Sequence, residues 1–188
     1  EHIFSLCIHH IVSDGLSMEI FVDELTQYYN ALCNNEKSNL TPLKFHYKDF
    51  VAWQKKQLKS SQSASHKAYW LSEFAKGQIP MLELPTDFPR PLSQSYRGDV
   101  EQMIIDADLK RELVALGAEH NTSLFVVLLS AVYTMLYKYT DQRDIVVGTP
   151  VAGREVQELE NQMGLFINTL AIRTQLDPDH SFEDLMRR

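Results

Sequence analysis

Basic clusters are missing from this sequence. Its 18 lysines and arginines lie scattered among 25 aspartates and glutamates, for a net charge of −7. Without a cationic stripe to meet a phosphate backbone, nucleic acid is not an expected partner. Cysteine is scarce as well: Cys7 and Cys33 are the only two, and they form no C-x-x-C unit. With no secretory signal, two such cysteines point to a reducing, cytoplasmic compartment rather than to a disulfide scaffold or a zinc site. Cys7 sits in an apolar run and reads as a small core residue. No apolar run is long enough for a comfortable membrane span, because the longest, 124–139, is broken by Ser130, Thr134 and Lys138. It reads as a buried helix, and no membrane contact is expected. An initiator methionine is also lacking: the chain opens at Glu1-His2 and closes on Met186-Arg187-Arg188, inside what reads as a helix. Both ends therefore read as cut. Internal repeats and low-complexity tracts are absent.

What remains is a globular composition, 44% hydrophobic and 23% charged over 188 residues, sufficient for a sizeable core. Ile3–Ile8 is a nearly continuous apolar run and predicts a strand covered on both faces. After a turn at Ser13-Asp14-Gly15, a helix is expected from about Leu16 to Cys33, with Phe21, Leu25, Tyr28 and Leu32 on one face. Pro42 opens a second helical region. The small polar run Ser60–Ser65 is the candidate junction between subdomains. A helix from about Ser65 to Ala75 follows, with Gly77 suited to its C-cap. Pro80–Pro91 carries four prolines and predicts an irregular loop. Val100–Ile105 predicts a strand. Asp106 or Asp108 suits the start of the next helix, and Thr122 or Ser123 suits the cap of the buried one. Asp144–Val147 predicts a strand, Glu155–Asn161 a short polar helix, and Asn168–Gln175 an alternating strand. Ser181 with Asp184 resembles a capping box. The whole reads as mixed α/β.

The pair His9-His10 ends the first predicted strand and precedes a tight turn into a helix. Successive strand side chains alternate, so one imidazole is expected to face a cleft and the other the interior. The helix after it aims its free N–H groups and positive dipole end at the turn, where an oxyanion beside the histidine would be favoured. A base beside a dipole suits acyl transfer. A metal triad with Asp14 is the competing reading, and the alternation argues against it. Two ordinary histidines, one buried and one exposed, and Asp14 as a plain helix cap, are the other alternative. Gly148–Glu155 has the glycine spacing of a phosphate loop. However, Arg154 stands in the lysine place, Glu155 in the hydroxyl place, and Pro150 removes a donor, so nucleotide binding is rejected.

Taken in order, the motifs resemble those of one family. His9-His10-x-x-x-Asp14-Gly15 is similar to the active-site signature of condensation domains of nonribosomal peptide synthetases. Tyr47-x-Asp49-x-x-x-Trp53 looks like the next motif, and Asp144–Arg154 resembles a characteristic stretch of these domains. Met163-Gly164-Leu165-Phe166-Ile167-Asn168-Thr169 with Arg173 is similar to a Gly-x-Phe-Val-Asn-Thr motif. His180-Ser181-Phe182-Glu183 stands where a His-Gln-Asp-x-Pro-Phe-Glu motif is expected and departs from it. The resemblance runs along essentially the whole chain.

It implies a fold like chloramphenicol acetyltransferase, two subdomains in a V around a tunnel and here incomplete at both ends. Residues 1–59 would finish the N-terminal subdomain and residues 60–188 would form most of the C-terminal one. The arginine expected to pair with Asp14 would lie outside this chain. The implied reaction is amide formation between an acyl or peptidyl thioester donor and an aminoacyl thioester acceptor. Both would be held on the 4'-phosphopantetheine arms of upstream and downstream peptidyl carrier proteins, beside an adenylation domain. No cofactor of its own and no metal is implied. By the same resemblance His10 positions the amine and handles its proton, His9 is structural, Asp14 orients the motif, and Gly15 admits the thioester. Tyr47, Asp49 and Trp53 read as packing and interface residues. Asn168 and Arg173 are candidate tunnel-lining residues, with sheet-end hydrogen bonding as their alternative. The type joining two L-residues fits the motifs best. An epimerization domain is the nearest rival, a cyclization domain is disfavoured, and a free-standing acyltransferase or a non-catalytic carrier-binding module remain as further readings. The fragment alone is expected to be inactive.

Overall fold

The computed structural model describes residues 2–75 and 77–188. Their contacts divide the chain into two compact units, Glu1–Gly77 with Gly148–Ala171, and Gln78–Val147 with Ile172–Arg188. Residues 1–59 fall within the first unit, which also takes in 60–77 and the 148–171 stretch.

The first unit opens on residues 3–8, which make no ladder among the described residues and leave Ile3 95% exposed. The strand expected there is not formed, because a strand exists only through hydrogen bonds to a neighbour. Cys7 is accordingly exposed rather than in a core. Instead of ending a strand, the histidines sit at a single 3-10 turn, His10–Val12. Helix α1 (Gly15–Cys33) then begins under an Asp14 cap, whose carboxylate accepts the Ser17 N–H. Its length matches the periodicity, but Leu25, Tyr28 and Leu32 on the expected face are exposed. Helix α2 (Tyr47–Gln57) starts five residues after Pro42, once the Asp49 carboxylate accepts the His46 N–H at 2.8 Å. The Ser60–Ser65 run, the candidate junction, is helical from Ser61 on. Ser60 caps helix α3 (Ser61–Phe74) by accepting the Ser63 N–H, the local chemistry at which serine excels. A small aromatic core joins α2 to the 148–171 stretch: Phe50, Leu159 and Phe166, flanked by Tyr47 and Val51.

The second unit is built on helices α4 (Ala107–Glu119) and α5 (Leu124–Thr140). Asp106 and Ser123 cap them through the N–H groups of Leu109 and Val126, and Asp141 in the left-handed region ends α5. Val127, Ser130, Tyr133 and Leu136 form the buried stripe of α5. Phe125, Leu128, Val132, Met135 and Tyr139 form a second apolar stripe that is exposed. The core gathers Tyr133, Leu136 and Ile145 with Leu82, Leu129, Ile172, Leu176 and Leu185 around them. Residues 100–105 form no strand; Val100, Met103 and Ile104 are exposed. The chain ends at helix α6 (Phe182–Met186), capped by the expected Ser181–Asp184 box.

Strands β1 (Asp144–Val151) and β2 (Asn168–Gln175) form a two-stranded sheet and contribute residues to both units. Leu176 donates its N–H to the Arg143 carbonyl at one end. At the other, Gly153 abuts Phe166. The strands therefore run antiparallel. The predicted Asp144–Val147 strand continues through Gly148, Thr149 and Pro150. Pro150 is tolerated because a two-stranded sheet is all edge. Between the strands the expected polar helix is a single 3-10 turn, Gln157–Leu159. Among the described residues no single helix is long and apolar enough to cross a membrane.

Ile145 is 1% exposed in the second core, and Tyr133 donates its hydroxyl to the Ile172 carbonyl at 2.7 Å. In an intact domain carrying this chain, Ile145→Ala should cost about 2–5 kcal/mol. Tyr133→Phe should cost about 1 kcal/mol. Urea unfolding monitored by tryptophan fluorescence would test the ranking.

Candidate functional site: a buried carboxylate beneath the histidine turn

Asp14 lies at the start of α1 with its side chain 2% exposed, and the Arg154 side chain that meets it is 3% exposed. Arg154 Nη1 donates to Asp14 Oδ2 at 2.8 Å and Nη2 to Oδ1 at 3.0 Å. This two-pronged fork is suited to arginine. Ser17 adds its N–H to Oδ1 at 2.9 Å and its hydroxyl to the same oxygen at 2.7 Å. The Phe166 N–H completes Oδ2 at 3.0 Å. The guanidinium has further partners: Nε donates to the Leu159 carbonyl at 3.1 Å, and Nη2 reaches the Gln162 carbonyl at 3.0 Å. Its Cζ sits 4.3 Å from the centre of the Phe166 ring, a cation–π contact. Burial, the largest single influence on Asp14, pushes its pKa up. Arg154, the Ser17 hydroxyl, and the N–H groups of Ser17 and Phe166 together outweigh it. They hold the carboxyl well below the usual carboxylate range. Asp14 is thus held as an anion at neutral pH with its charge compensated in place, and it is suited to orient rather than to exchange protons there.

The arginine that the resemblance places outside the chain is therefore inside it, 140 residues after Asp14. In the sequence, Arg154 reads only as the end of a motif and as the misfit in a phosphate loop. Nothing local marks its partner. Two glycines make the approach possible. Gly153 has φ +65°, and a Cβ there would strike the Phe166 carbonyl oxygen. A Cβ on Gly164 would run into the Tyr47 ring, whose hydroxyl donates to the Leu165 carbonyl at 2.8 Å. Gln162, 1% exposed, donates its amide to the Phe45 carbonyl at 2.6 Å.

The other expected site residues divide. His9 Nδ1 accepts the Ile11 N–H at 3.0 Å and so caps the 3-10 turn. His10 is exposed, and its imidazole has no partner among the described residues. The alternation argument, with one histidine facing inward, is overturned: both rings are exposed, because a 3-10 turn rather than a strand carries them. Gly15 is the first residue of α1, with open space where a Cβ would stand. Tyr47 packs edge-on against Phe166, Asp49 caps α2, and half-exposed Trp53 lies beside Phe50. Asn168 is exposed, and its side chain accepts the Thr169 N–H. Arg173, in the second unit, forms a diagonal cross-strand fork on Asp144 at 2.8 and 2.5 Å. Its hydrogen bonds, opposed by burial, hold the Asp144 carboxyl below its ordinary value. No three His, Cys, Asp or Glu side chains gather into a metal-binding group among the described residues.

Removing Arg154 strands a buried anion. In an intact domain, Arg154→Met should cost about 3–5 kcal/mol, and Arg154→Lys should not restore it, since an ammonium cannot form the fork. Calorimetric melting of both variants would measure this. Because Asp14 titrates lower in the folded chain than in the unfolded one, its stabilisation is complete above about pH 4 and fades as pH falls below that. Asp144 shifts the same way, so the comparison must be with Asp14→Asn. That variant should be less stable at pH 7 and should lose less stability on acidification to pH 3.

Comparison with known proteins gives the family. The condensation-domain family profile matches residues 1–188. The chain is 41% identical over 187 residues to tyrocidine synthase 3 of Brevibacillus parabrevis, covering 100% of this chain and 3% of that protein. It is 40% identical over 188 residues to malpinin synthetase of Mortierella alpina, covering 100% of this chain and 2% of that protein. Among solved structures, the first condensation domain of the calcium-dependent antibiotic synthetase superposes with a TM-score of 0.75 at 25% identity, over 96% of this chain and 40% of that one. The X-domain from teicoplanin biosynthesis shares the fold with a TM-score of 0.83 at 24% identity, over 96% of this chain and 41% of that one. This chain belongs to the condensation-domain family, with the histidine turn and its buried Asp14–Arg154 anchor among its conspicuous features.

Proposed function

We propose that the intact domain carrying this chain forms an amide between two thioesters held on carrier proteins, with His10 at the reacting centre. One observation carries the reading. The His10 imidazole is exposed and unpartnered among the described residues, yet its backbone is tied into a turn whose far end is the buried Asp14 anchor. A mobile surface histidine needs no such foundation. Family membership and relatives that are themselves peptide synthetases support the same reading.

The downstream amine nitrogen attacks the thioester carbonyl carbon. The C–N bond forms, the C–S bond breaks, and the amine proton ends on the departing thiolate of the upstream arm. An α-amine of pKa about 8 is about one-tenth neutral at pH 7, a cost of roughly 1.4 kcal/mol. General-base help is typically worth about 10²–10⁴-fold. Orientation of the amine against the carbonyl is worth roughly 7–11 kcal/mol. His10 therefore contributes by holding the amine and handling its proton. Asp14 is a positioning residue, His9 caps the turn, and Gly15 leaves space open beside it. Asn168 remains a candidate lining residue. Residues 1–59 would complete an N-terminal subdomain and residues 60–188 much of a C-terminal one. The partners are upstream and downstream carrier proteins with an adjacent adenylation domain, in the cytoplasm.

His10→Ala in the intact domain should lower dipeptidyl-thioester formation between loaded carriers at least about 10²-fold, read by mass spectrometry of the downstream carrier. Undiminished turnover removes His10 from the reaction. Exchange of the donor α-hydrogen without amide formation would assign epimerization instead, and carrier binding without either reaction would assign a binding module. The 188-residue chain spans 40% of the solved condensation domain it superposes on. By itself it should form no peptide bond; measurable synthesis by the isolated piece would refute that.

A further inference from the structure

Ser17 has chemistry that helix capping does not explain. It is 0% exposed and occupies the third position of α1. Capping uses only its N–H, which any residue but proline would supply. Its hydroxyl is engaged separately. The oxygen lies 2.7 Å from Asp14 Oδ1, 2.9 Å from the Gly164 carbonyl oxygen, 3.0 Å from the Gly164 nitrogen and 3.2 Å from Arg154 Nη2. A hydroxyl has one proton and two lone pairs. One lone pair takes the Gly164 N–H, and the other shares an Arg154 Nη2 hydrogen at the longer 3.2 Å. The proton lies within reach of both the carboxylate and the carbonyl, and the shorter, charge-assisted contact favours the carboxylate. No hydrogen-bonding capacity is left over. The same side chain thus binds the cap of α1, the arginine that neutralises that cap, and a peptide unit 147 residues away.

We propose that Ser17 is a positioning residue for His10. This rests on the reading of His10 given above. The path is short. Gly164 and Phe166 are fastened by Ser17 and Asp14. Asp14 sets where α1 begins, and Ser13, itself 4% exposed, donates its N–H to the His10 carbonyl. Removing the hydroxyl leaves the Asp14–Arg154 fork and the Phe166 N–H on Asp14 in place but releases the Gly164 peptide from the start of α1. The fold survives such a change more easily than a reaction in which a displacement of about 1 Å can cost about 10²-fold.

Single-turnover amide formation by the intact domain with loaded carriers separates the possibilities. The amplitude counts competent molecules, and the rate constant reports their geometry. Ser17→Ala should lower the rate constant about 10–100-fold with amplitude and carrier affinity nearly unchanged. Ser17→Thr, which keeps the hydroxyl, should recover most of it. Ser17→Cys, similar in size with a weak donor, should behave like Ser17→Ala and stands in for it if the alanine domain does not fold. A Ser17→Ala rate constant equal to wild type, or a loss confined to amplitude, overturns the proposal. His10→Ala is measured alongside. If it is slow while Ser17→Ala is not, the Ser17 assignment alone falls. If His10→Ala matches wild type, the reading of the site falls and takes the Ser17 assignment with it.

Discussion

The structure of the histidine region depends on a charge that cannot leave. A carboxylate taken out of water loses hydration worth several kcal/mol, and a single counterion seldom offsets that. At Asp14 the compensation is distributed: a guanidinium fork, two N–H groups and a hydroxyl converge on two oxygens. Each donor comes from a different requirement of the chain. Ser17 supplies the helix start, Phe166 the approach to β2, and Arg154 lies just beyond the end of β1. The anion fixes those pieces relative to one another because each that withdraws leaves it less compensated.

The neighbouring residues make sense as conditions for that convergence. Gly153 lets the chain pass against Phe166, and Gly164 lets the Tyr47 ring lie close on the backbone. Phe166 then serves twice, as a member of the aromatic core with Phe50 and as the ring facing the Arg154 guanidinium. Motifs that look independent along the chain, around Asp14, Tyr47, Arg154 and Gly164, are therefore one assembly in space. Their order in the sequence reflects connectivity, and their residue types reflect shared contacts.

Much of the architecture was legible in the residues. Helix α1, the caps at Asp106, Ser123 and Ser181, and strand β2 follow from periodicity and cap chemistry, which are local. Family membership was legible from ordered motifs. Other features were not. Ser60–Ser65 has linker composition but begins a helix, because the same serines that suit loops also cap. The runs at 3–8 and 100–105 carry strand composition without ladders, since pairing is not a property of one segment. The expected strand under the histidines fails for the same reason, and the turn that carries them changes which way they face. Arg154 was visible as a residue but not as a partner, because spacing says nothing about contacts 140 positions apart.

That separation also orders events during synthesis. A ribosome that has just delivered the histidine pair and Asp14 must add 140 more residues before the guanidinium appears. At roughly 5–20 residues per second, that is roughly 7–28 s. Throughout that interval the carboxylate remains hydrated and the turn above it has no foundation. Nascent chains in this window carry every atom of the histidine motif without the anchor beneath it, which closes only when Arg154 reaches Asp14 within the first unit.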